Sequence, residues 1–163
     1  MKKMVLSLLV DNTSGVLSRV AGLFSRRGYN IDSLTVGVTE NPKYSRMTVA
    51  ISGDDRILLQ IKKQLIKLED VKSITLLKDG ESVCRELVLV KIRASIEERQ
   101  QIISLADVFR ANVVDVSKES VMIEITGNVS KVEAFISLLD GFEIEEMVRT
   151  GLTGLVRGNA SAE

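Results

Sequence analysis

The 163-residue sequence contains no histidine and one cysteine, and these shortages remove most kinds of active site. Histidine is the usual general base, the usual triad partner and the commonest metal ligand, so hydrolase and zinc-enzyme functions are poorly supported. A single cysteine allows no disulfide framework and no thiolate metal cluster. Without a histidine to activate it, we interpret Cys84 as a small, partly buried residue. A reducing, cytoplasmic environment fits this composition best.

Net charge and long apolar runs are also missing. Lys plus Arg and Asp plus Glu number 22 each, so no overall field attracts the chain to nucleic acid or to an anionic membrane. No stretch approaches the roughly 20 apolar residues of a membrane helix. MKKMVLSLLV is interpreted as a strand, because Asp11 interrupts it and no cleavage site follows. The charge is nevertheless divided, with 13 basic and 8 acidic residues in 1–80 (net +5) and 9 and 14 in 81–163 (net −5).

The first 80 residues predict the order β-α-β-β-α-β. Residues 4–10 are apolar on both faces, and from Val16 the apolar residues follow helical spacing until Gly28. YNIDSLTVGVTE and SRMTVAISG are typical of strands, with a turn at Pro42 between them. Asp54 and Asp55 open a second helix, and VKSITLLKD closes the module as a strand. This is the ferredoxin-like plan, an antiparallel sheet with two helices on one side.

After the linker GESVCRE the same order repeats. LVLVKIRA, NVVDVS, SVMIEITG and FEIEEMVRTG are predicted strands, and the apolar residues around Leu105 and Phe135 mark two helices. Echoes such as LFSRRGYNIDS and VFRANVVDVS support duplication, although each is weak alone. We therefore predict an α+β protein of two tandem ferredoxin-like domains, residues 1–80 and 81–163.

The stretch DNTSGVL, between the first strand and the first helix, has more small and polar residues than a connection needs. A helix N-terminus offers unpaired N–H groups and the positive end of the helix dipole, which suit a carboxylate or a phosphate. Gly15 allows close approach, and Asn12 supplies a donor and an acceptor. The second repeat has ASIEERQ here, without glycine or asparagine. Local spacing leaves an ordinary cap by Thr13 or Ser14 open, and a phosphate loop is disfavoured because GK[ST] is absent.

A longer sequence resemblance helps to choose between an ordinary helix cap and a ligand-binding loop. DNTSGVLSRVAGLFSRRGYNIDSLTVG and SRMTVAISGD resemble the family of regulatory small subunits of acetohydroxyacid (acetolactate) synthase, whose N-terminal part is an ACT domain, an amino-acid-sensing form of the ferredoxin-like plan. The resemblance continues through RELVLVKIRA, VFRANVVDVS and RTGLTGLVRG, and so spans nearly the whole chain. Thr13 departs from the Glu or Lys that many members carry, at a position expected to face solvent.

The resemblance implies a non-catalytic subunit that activates a catalytic large subunit and confers feedback inhibition by a branched-chain amino acid, foremost valine. Thiamine diphosphate, magnesium and FAD, which serve the carboligation of pyruvate, are expected on the large subunit and no cofactor on this chain. The chain is expected to form a homodimer through its ACT domains, residues 1–80, with the apolar outer side of the first strand as a sheet-to-sheet contact.

The resemblance also implies where the effector binds. The loop of one subunit would receive the amino-acid carboxylate, and the start of the second strand of the other subunit would close the pocket. The predicted effector-binding residues are Asn12, Thr13, Ser14, Gly15, Val16, Leu17, Asn30, Ile31 and Val36, with no catalytic or metal-binding residue. Without the resemblance, Asn30 would simply end a turn, and Leu17, Ile31 and Val36 would be core residues.

Three other functions share this fold. An acylphosphatase-like enzyme would use an arginine and an asparagine, but spacing places Arg19 on the outer helix face and no phosphate-binding run precedes it. An RNA-binding module needs exposed aromatic residues on its central strands, and MVLSLLV and TVAISG have none. A free-standing ACT-type sensor of another enzyme or transporter remains open. So does the choice among valine, leucine and isoleucine, since one methylene discriminates by only about 1–3 kcal/mol.

Overall fold

A computed structural model describes residues 2–158, which form nine strands and four helices. In chain order these are β1 (Lys2–Asp11), α1 (Val16–Arg26), β2 (Ile31–Val38), β3 (Tyr44–Gly53), α2 (Asp55–Leu65), β4 (Val71–Leu76), β5 (Ser82–Arg93), α3 (Ile96–Val108), β6 (Asn112–Val116), β7 (Ser120–Gly127), α4 (Val129–Leu138), β8 (Glu143–Arg149) and β9 (Thr153–Val156). The chain divides into two compact units. Unit 1 comprises the described residues up to Cys84 and those from Gly151 onward, and unit 2 is Arg85–Thr150.

Unit 1 is built on an antiparallel sheet with strand order β2-β3-β1-β4. Leu6, Leu8 and Val10 alternate along β1 and pack with Phe24 of α1 and Leu65 of α2 in one buried cluster. Because successive strand residues point to opposite faces, the residues between them face away from the helices. We call that second side the outer face of the unit 1 sheet.

Unit 2 repeats the plan, with strand order β6-β7-β5-β8. Val88, Val90 and Ile92 alternate along β5 and form its core with residues of β7, α3 and α4. Phe135 of α4 meets Phe109 edge to face, with ring centroids 5.4 Å apart. Two antiparallel sheets with the same strand order confirm the predicted α+β fold of two ferredoxin-like domains.

An ion pair joins the first and last strands of unit 2. Arg149 at the end of β8 donates hydrogen bonds of 2.7 and 3.0 Å to the carboxylate of Glu86, near the start of β5, and one of 2.8 Å to Glu133. Glu86 is 5% exposed, whereas Glu133 is 55% exposed. The hydrogen bond with Glu86 is the main reason why the pKa of Arg149 lies above its usual range.

The C-terminal segment returns to unit 1, which the predicted division into residues 1–80 and 81–163 did not include. Residues 151–156, here called the strap, contain β9, which pairs with β5. The strap crosses the outer face of the unit 1 sheet, where Thr35 Oγ1 donates a hydrogen bond of 3.3 Å to the carbonyl of Leu152. On the same face Ser7 of β1 is 2% exposed. The strap thus occupies part of the face expected from the sequence to form the sheet-to-sheet dimer contact, and Arg46 donates a hydrogen bond of 2.7 Å to the Ser7 hydroxyl there.

Candidate effector site

The helix α1 begins without a side-chain cap, unlike the other three helices in residues 2–158. Its N-cap residue is Gly15, with φ +86°, and no side chain accepts a hydrogen bond from its first turn. The corresponding first turns of α2, α3 and α4 are capped by Asp54, Ser95 and Asn128. An ordinary cap by Thr13 or Ser14 is therefore not formed. The first-turn N–H groups of α1 remain available to an outside acceptor.

Gly15 is required at this position for two reasons. Its left-handed backbone strains any residue with a Cβ. In addition, a Cβ at residue 15 would lie 2.8 Å from Nη1 of Arg19, one helical turn further on. The sequence shows the need for a glycine, but it does not show that an arginine side chain lies against it.

The guanidinium of Arg19 is held beside the loop by Asp70. Nε of Arg19 donates to Oδ2 of Asp70 at 2.5 Å, and the backbone carbonyl of Asp70 accepts from the N–H of Asp11. This hydrogen bond from Arg19 is the main cause of the lowered pKa of the Asp70 carboxyl. Arg19 lies on the outer side of α1, as predicted, but Asp70 is 51 residues away, and no helical spacing could indicate it. The ion pair as a whole is neutral, and it holds the Nη1 end of the Arg19 guanidinium near the start of α1.

Asn12 is exposed, but its side chain is engaged in securing the loop. Its Nδ2 donates to the carbonyl of Pro42 at 2.9 Å, and its Oδ1 accepts from the hydroxyl of Ser45 at 3.1 Å. Its backbone N–H donates to the carbonyl of Lys43 at 2.8 Å. The predicted donor and acceptor are both present, but they bind the turn before β3 and the start of that strand.

The apolar residues of the predicted site divide into two groups. The side chain of Val16 is buried in the core of unit 1, so only its backbone can face a ligand, and Ile31 packs half-buried against the same core. Leu17 and Val36 are each 46% exposed. These two side chains can offer apolar surface to an aliphatic ligand.

The structure separates the predicted residues along α1. Residues 12–17 lie at the start of this helix, whereas Asn30 and Ile31 follow its end. Eleven helical residues at about 1.5 Å each span roughly 16 Å. Asn30 of the same chain therefore does not face the loop, and its action from a second copy stays a prediction.

Comparison with known proteins identifies the family. Residues 6–73 match the model of the AHAS small subunit-like ACT domain, and residues 85–158 match the model of the small subunit of acetolactate synthase. The chain belongs to the acetolactate synthase small subunit family. It is thus a regulatory subunit whose first domain is an ACT domain, and its family implies a catalytic large subunit as partner.

Individual relatives match nearly the full length of this chain. It is 48% identical over 157 residues to the probable acetolactate synthase small subunit of Archaeoglobus fulgidus, covering 96% of this chain and 98% of that protein. It is 50% identical over 157 residues to the acetolactate synthase small subunit of Mycobacterium bovis, covering 96% and 94%. The crystal structure of the Thermotoga maritima small subunit superposes with a TM-score of 0.90 at 44% identity, covering 98% of this chain and 99% of that one.

Neither a membrane-spanning helix nor a cluster of metal-binding side chains is found among residues 2–158. No helix among them combines the length and the apolar character that crossing a membrane requires. No group of three or more Cys, Asp or Glu side chains among them is placed to hold a metal ion.

Proposed function

We propose that this small subunit activates a thiamine diphosphate-dependent large subunit and makes it sensitive to feedback inhibition by valine. The observation that carries the proposal is the uncapped start of α1 in the ACT domain, set beside the capped helix starts elsewhere in the chain. A regulatory subunit needs a site that the pathway product can fill. This helix start has the chemistry for the carboxylate of an amino acid.

The site suits a small aliphatic amino acid. Hydrogen bonds from backbone N–H groups to a carboxylate contribute about 1.5–3 kcal/mol each. Nη1 of Arg19 lies beside Gly15 and adds a hydrogen-bond donor, although Asp70 balances the charge of the guanidinium. Leu17 and Val36 are both partly exposed and offer apolar surface to a branched side chain. Valine, leucine and isoleucine all suit such a surface, since one methylene discriminates by only about 1–3 kcal/mol.

We infer that two ACT domains complete the site by pairing along β2. This strand is an outer strand of its sheet, and its exposed Val36 and Val38 would be covered by a partner. In an antiparallel β2 pair related by a two-fold axis, the start of one strand lies beside the end of the other. The partner's Asn30 and Ile31 would then lie near Val38. Val38 is in register with Ser45, the residue that binds Asn12 of the loop.

This arrangement accounts for regulation without chemistry in the small subunit. We place thiamine diphosphate, magnesium and FAD on the large subunit, and we infer a cytoplasmic location for the assembly. Docking of the small subunit favours the active state of the large subunit. Valine opposes this activation if it binds a less active state of the assembly more tightly than the active state. The free energy of such coupling between sites is typically about 1–3 kcal/mol.

The test combines purified small and large subunits in an acetolactate assay. We expect no product from the small subunit alone, a several-fold higher rate for the mixture than for the large subunit alone, and a fall in that rate with added valine. Product from the pure small subunit would contradict the non-catalytic assignment. Valine binding without any effect on the large subunit would favour the alternative, a free-standing ACT-type sensor of another enzyme.

A further inference from the structure

The strap contacts the strand that carries part of the proposed effector site. Ile31 and Val36 of β2 are predicted effector residues, and Ser33 and Thr35 lie between them. Ser33 and Thr35 are in register with Ala50 and Thr48, so they point to the outer face of the sheet. The strap lies against these two residues.

The contact at Ser33 is close. A Cβ on Gly151 would lie 2.6 Å from the Cβ of Ser33 and 3.0 Å from its Oγ, and Gly151 has φ +83°. Thr35 lies two residues after Ser33 on β2, and its hydroxyl donates a hydrogen bond to the carbonyl of Leu152. The side chain of Leu152 is 7% exposed. The strap is therefore fitted to β2 by backbone contact, which glycine permits.

The far end of the strap is fitted equally closely. A Cβ on Gly154 would lie 2.7 Å from Sγ of Cys84 and 2.8 Å from Cδ1 of Leu77. Just after the strap, the N–H of Arg157 donates to the carbonyl of Glu81 at 2.8 Å. The strap is thus held at both ends within unit 1.

One buried hydroxyl beneath this region has no partner. Thr48, in register with Thr35, is 1% exposed, and its Oγ1 makes no hydrogen bond to any described residue. A buried hydroxyl without a hydrogen-bond partner costs free energy, and this cost falls on the part of β3 that pairs with Thr35.

The strap begins where unit 2 ends. The N–H of Thr150 donates to the carbonyl of Leu87 at 3.0 Å, and Arg149 is held by Glu86. Only Thr150 separates Gly151 from Arg149, so a displacement of Gly151 acts on the fixed end of β8 through this single residue. The same short segment contacts the effector strand and continues the last strand of unit 2.

We propose that the strap transmits effector binding from β2 to unit 2. The proposal rests on the proposed function, because it assumes that an amino acid binds beside β2. A ligand that shifts β2 moves Ser33 and Thr35, and the strap passes this movement to β8. Binding of valine and inhibition by valine are then separable properties, and the strap is needed for the second.

The central variant is Gly151→Ala in the full-length chain, because a Cβ there forces the strap away from Ser33. Gly80→Ala is the matched control, since Gly80 has nearly the same φ, +82°, but open space within 4 Å of its Cβ position. Ser33→Gly added to Gly151→Ala removes the clashing atoms and should restore the contact. Thr35→Val, which removes only the hydrogen bond to Leu152, serves if Gly151→Ala does not fold.

Three measurements are compared: calorimetric valine affinity, the valine concentration for half inhibition of the holoenzyme, and hydrogen exchange in residues 143–149 with and without valine. For Gly151→Ala we expect affinity within about 3-fold of the unmodified chain, at least a 10-fold higher half-inhibition concentration, and loss of the valine effect on exchange. Ser33→Gly should reverse these changes, Gly80→Ala should show none, and Thr35→Val should show them more weakly.

The outcomes separate the two proposals. If the unmodified chain binds no valine, the proposed function fails and the strap proposal with it. If the unmodified chain binds valine and is inhibited, and Gly151→Ala or Thr35→Val is inhibited equally, the strap proposal alone is overturned.

Discussion

The hydroxyl of Ser45 donates a hydrogen bond of 3.1 Å to Oδ1 of Asn12, which fastens the loop before α1 to the first residues of β3. Asn12 also donates to the carbonyl of Pro42 at 2.9 Å. Its amide therefore sets the position of the loop from which the first-turn N–H groups of α1 project. This relationship gives Asn12 a framework role in the effector site.

Asn12→Ala should lower both stability and valine affinity. It removes two hydrogen bonds and leaves the buried Ser45 hydroxyl without its acceptor, at a cost of about 1–3 kcal/mol in the free energy of unfolding. Ser45→Ala is the matched control and should cost less, about 1 kcal/mol, because the bond to Pro42 remains. Urea unfolding and calorimetry with valine measure the two effects. Loss of valine binding at unchanged stability would instead make Asn12 a direct ligand.

Gly15→Asp should abolish feedback inhibition while activation of the large subunit is kept. The substitution strains a left-handed residue, crowds Arg19 and places a like charge where the effector carboxylate is expected. Gly15→Asn separates these causes, since asparagine tolerates a left-handed backbone better and carries no charge. We expect a smaller loss of valine sensitivity for Asn than for Asp, measured as holoenzyme rate against valine concentration. If Gly15→Asp responds to valine as the unmodified chain does, the loop holds no effector.

Glu86 and Glu133 bind the same arginine but should contribute very differently to stability. Glu86→Gln removes one charge of a largely buried pair, for which we expect a loss of about 3 kcal/mol. Glu133→Gln acts on a mostly exposed pair and should change stability by less than about 1 kcal/mol. Urea unfolding of the two single variants tests the contrast. Equal effects would show that burial does not set the strength of these pairs.

Arg110→Gly should stabilise unit 2. Arg110 has φ +55°, and it is the only residue other than glycine with positive φ among those described. It ends α3 as Gly28 ends α1, each with its N–H bonded to the carbonyl three residues earlier. Glycine relieves the left-handed strain but adds freedom to the unfolded chain, for a net gain of about 0.5–1 kcal/mol. A melting temperature that falls in Arg110→Gly would refute this assignment of strain.

The spacing of apolar residues is sufficient to predict the fold, because the strands of both repeats alternate and the helices of the first repeat, α1 and α2, are strongly amphipathic. The start of α1 at Val16 was correct for the same reason. The helices of the second repeat are less amphipathic, and the repeated strand order supports them. The strap was missed because RTGLTGLVRG contains glycines and too few residues to establish an alternation. Its contacts with Ser33 and Thr35 join residues more than 110 positions apart. Only the folded chain brings them together.

The candidate site was predicted in part. Local chemistry indicated a loop that can receive an anion, and the structure places an uncapped helix start there. The side chains around it depend on long-range pairing. Asp70 binds Arg19 and Ser45 binds Asn12 across 51 and 33 residues, and neither partner has a distinctive sequence neighbourhood. The assignment of roles to Asn30, Ile31 and Val36 rests on the family resemblance, and it stays a prediction.

The central claim is that an effector binds between two copies, at the α1 loop of one and Asn30 of the other. Differently tagged chains carrying Gly15→Asp and Asn30→Ala can be co-expressed and the mixed dimer isolated. If the site is shared, one of its two sites carries both changes and the other carries neither. Calorimetry should then find one valine per mixed dimer and none for either variant homodimer. No valine bound by the mixed dimer would mean that each chain builds its site alone, which would contradict the account.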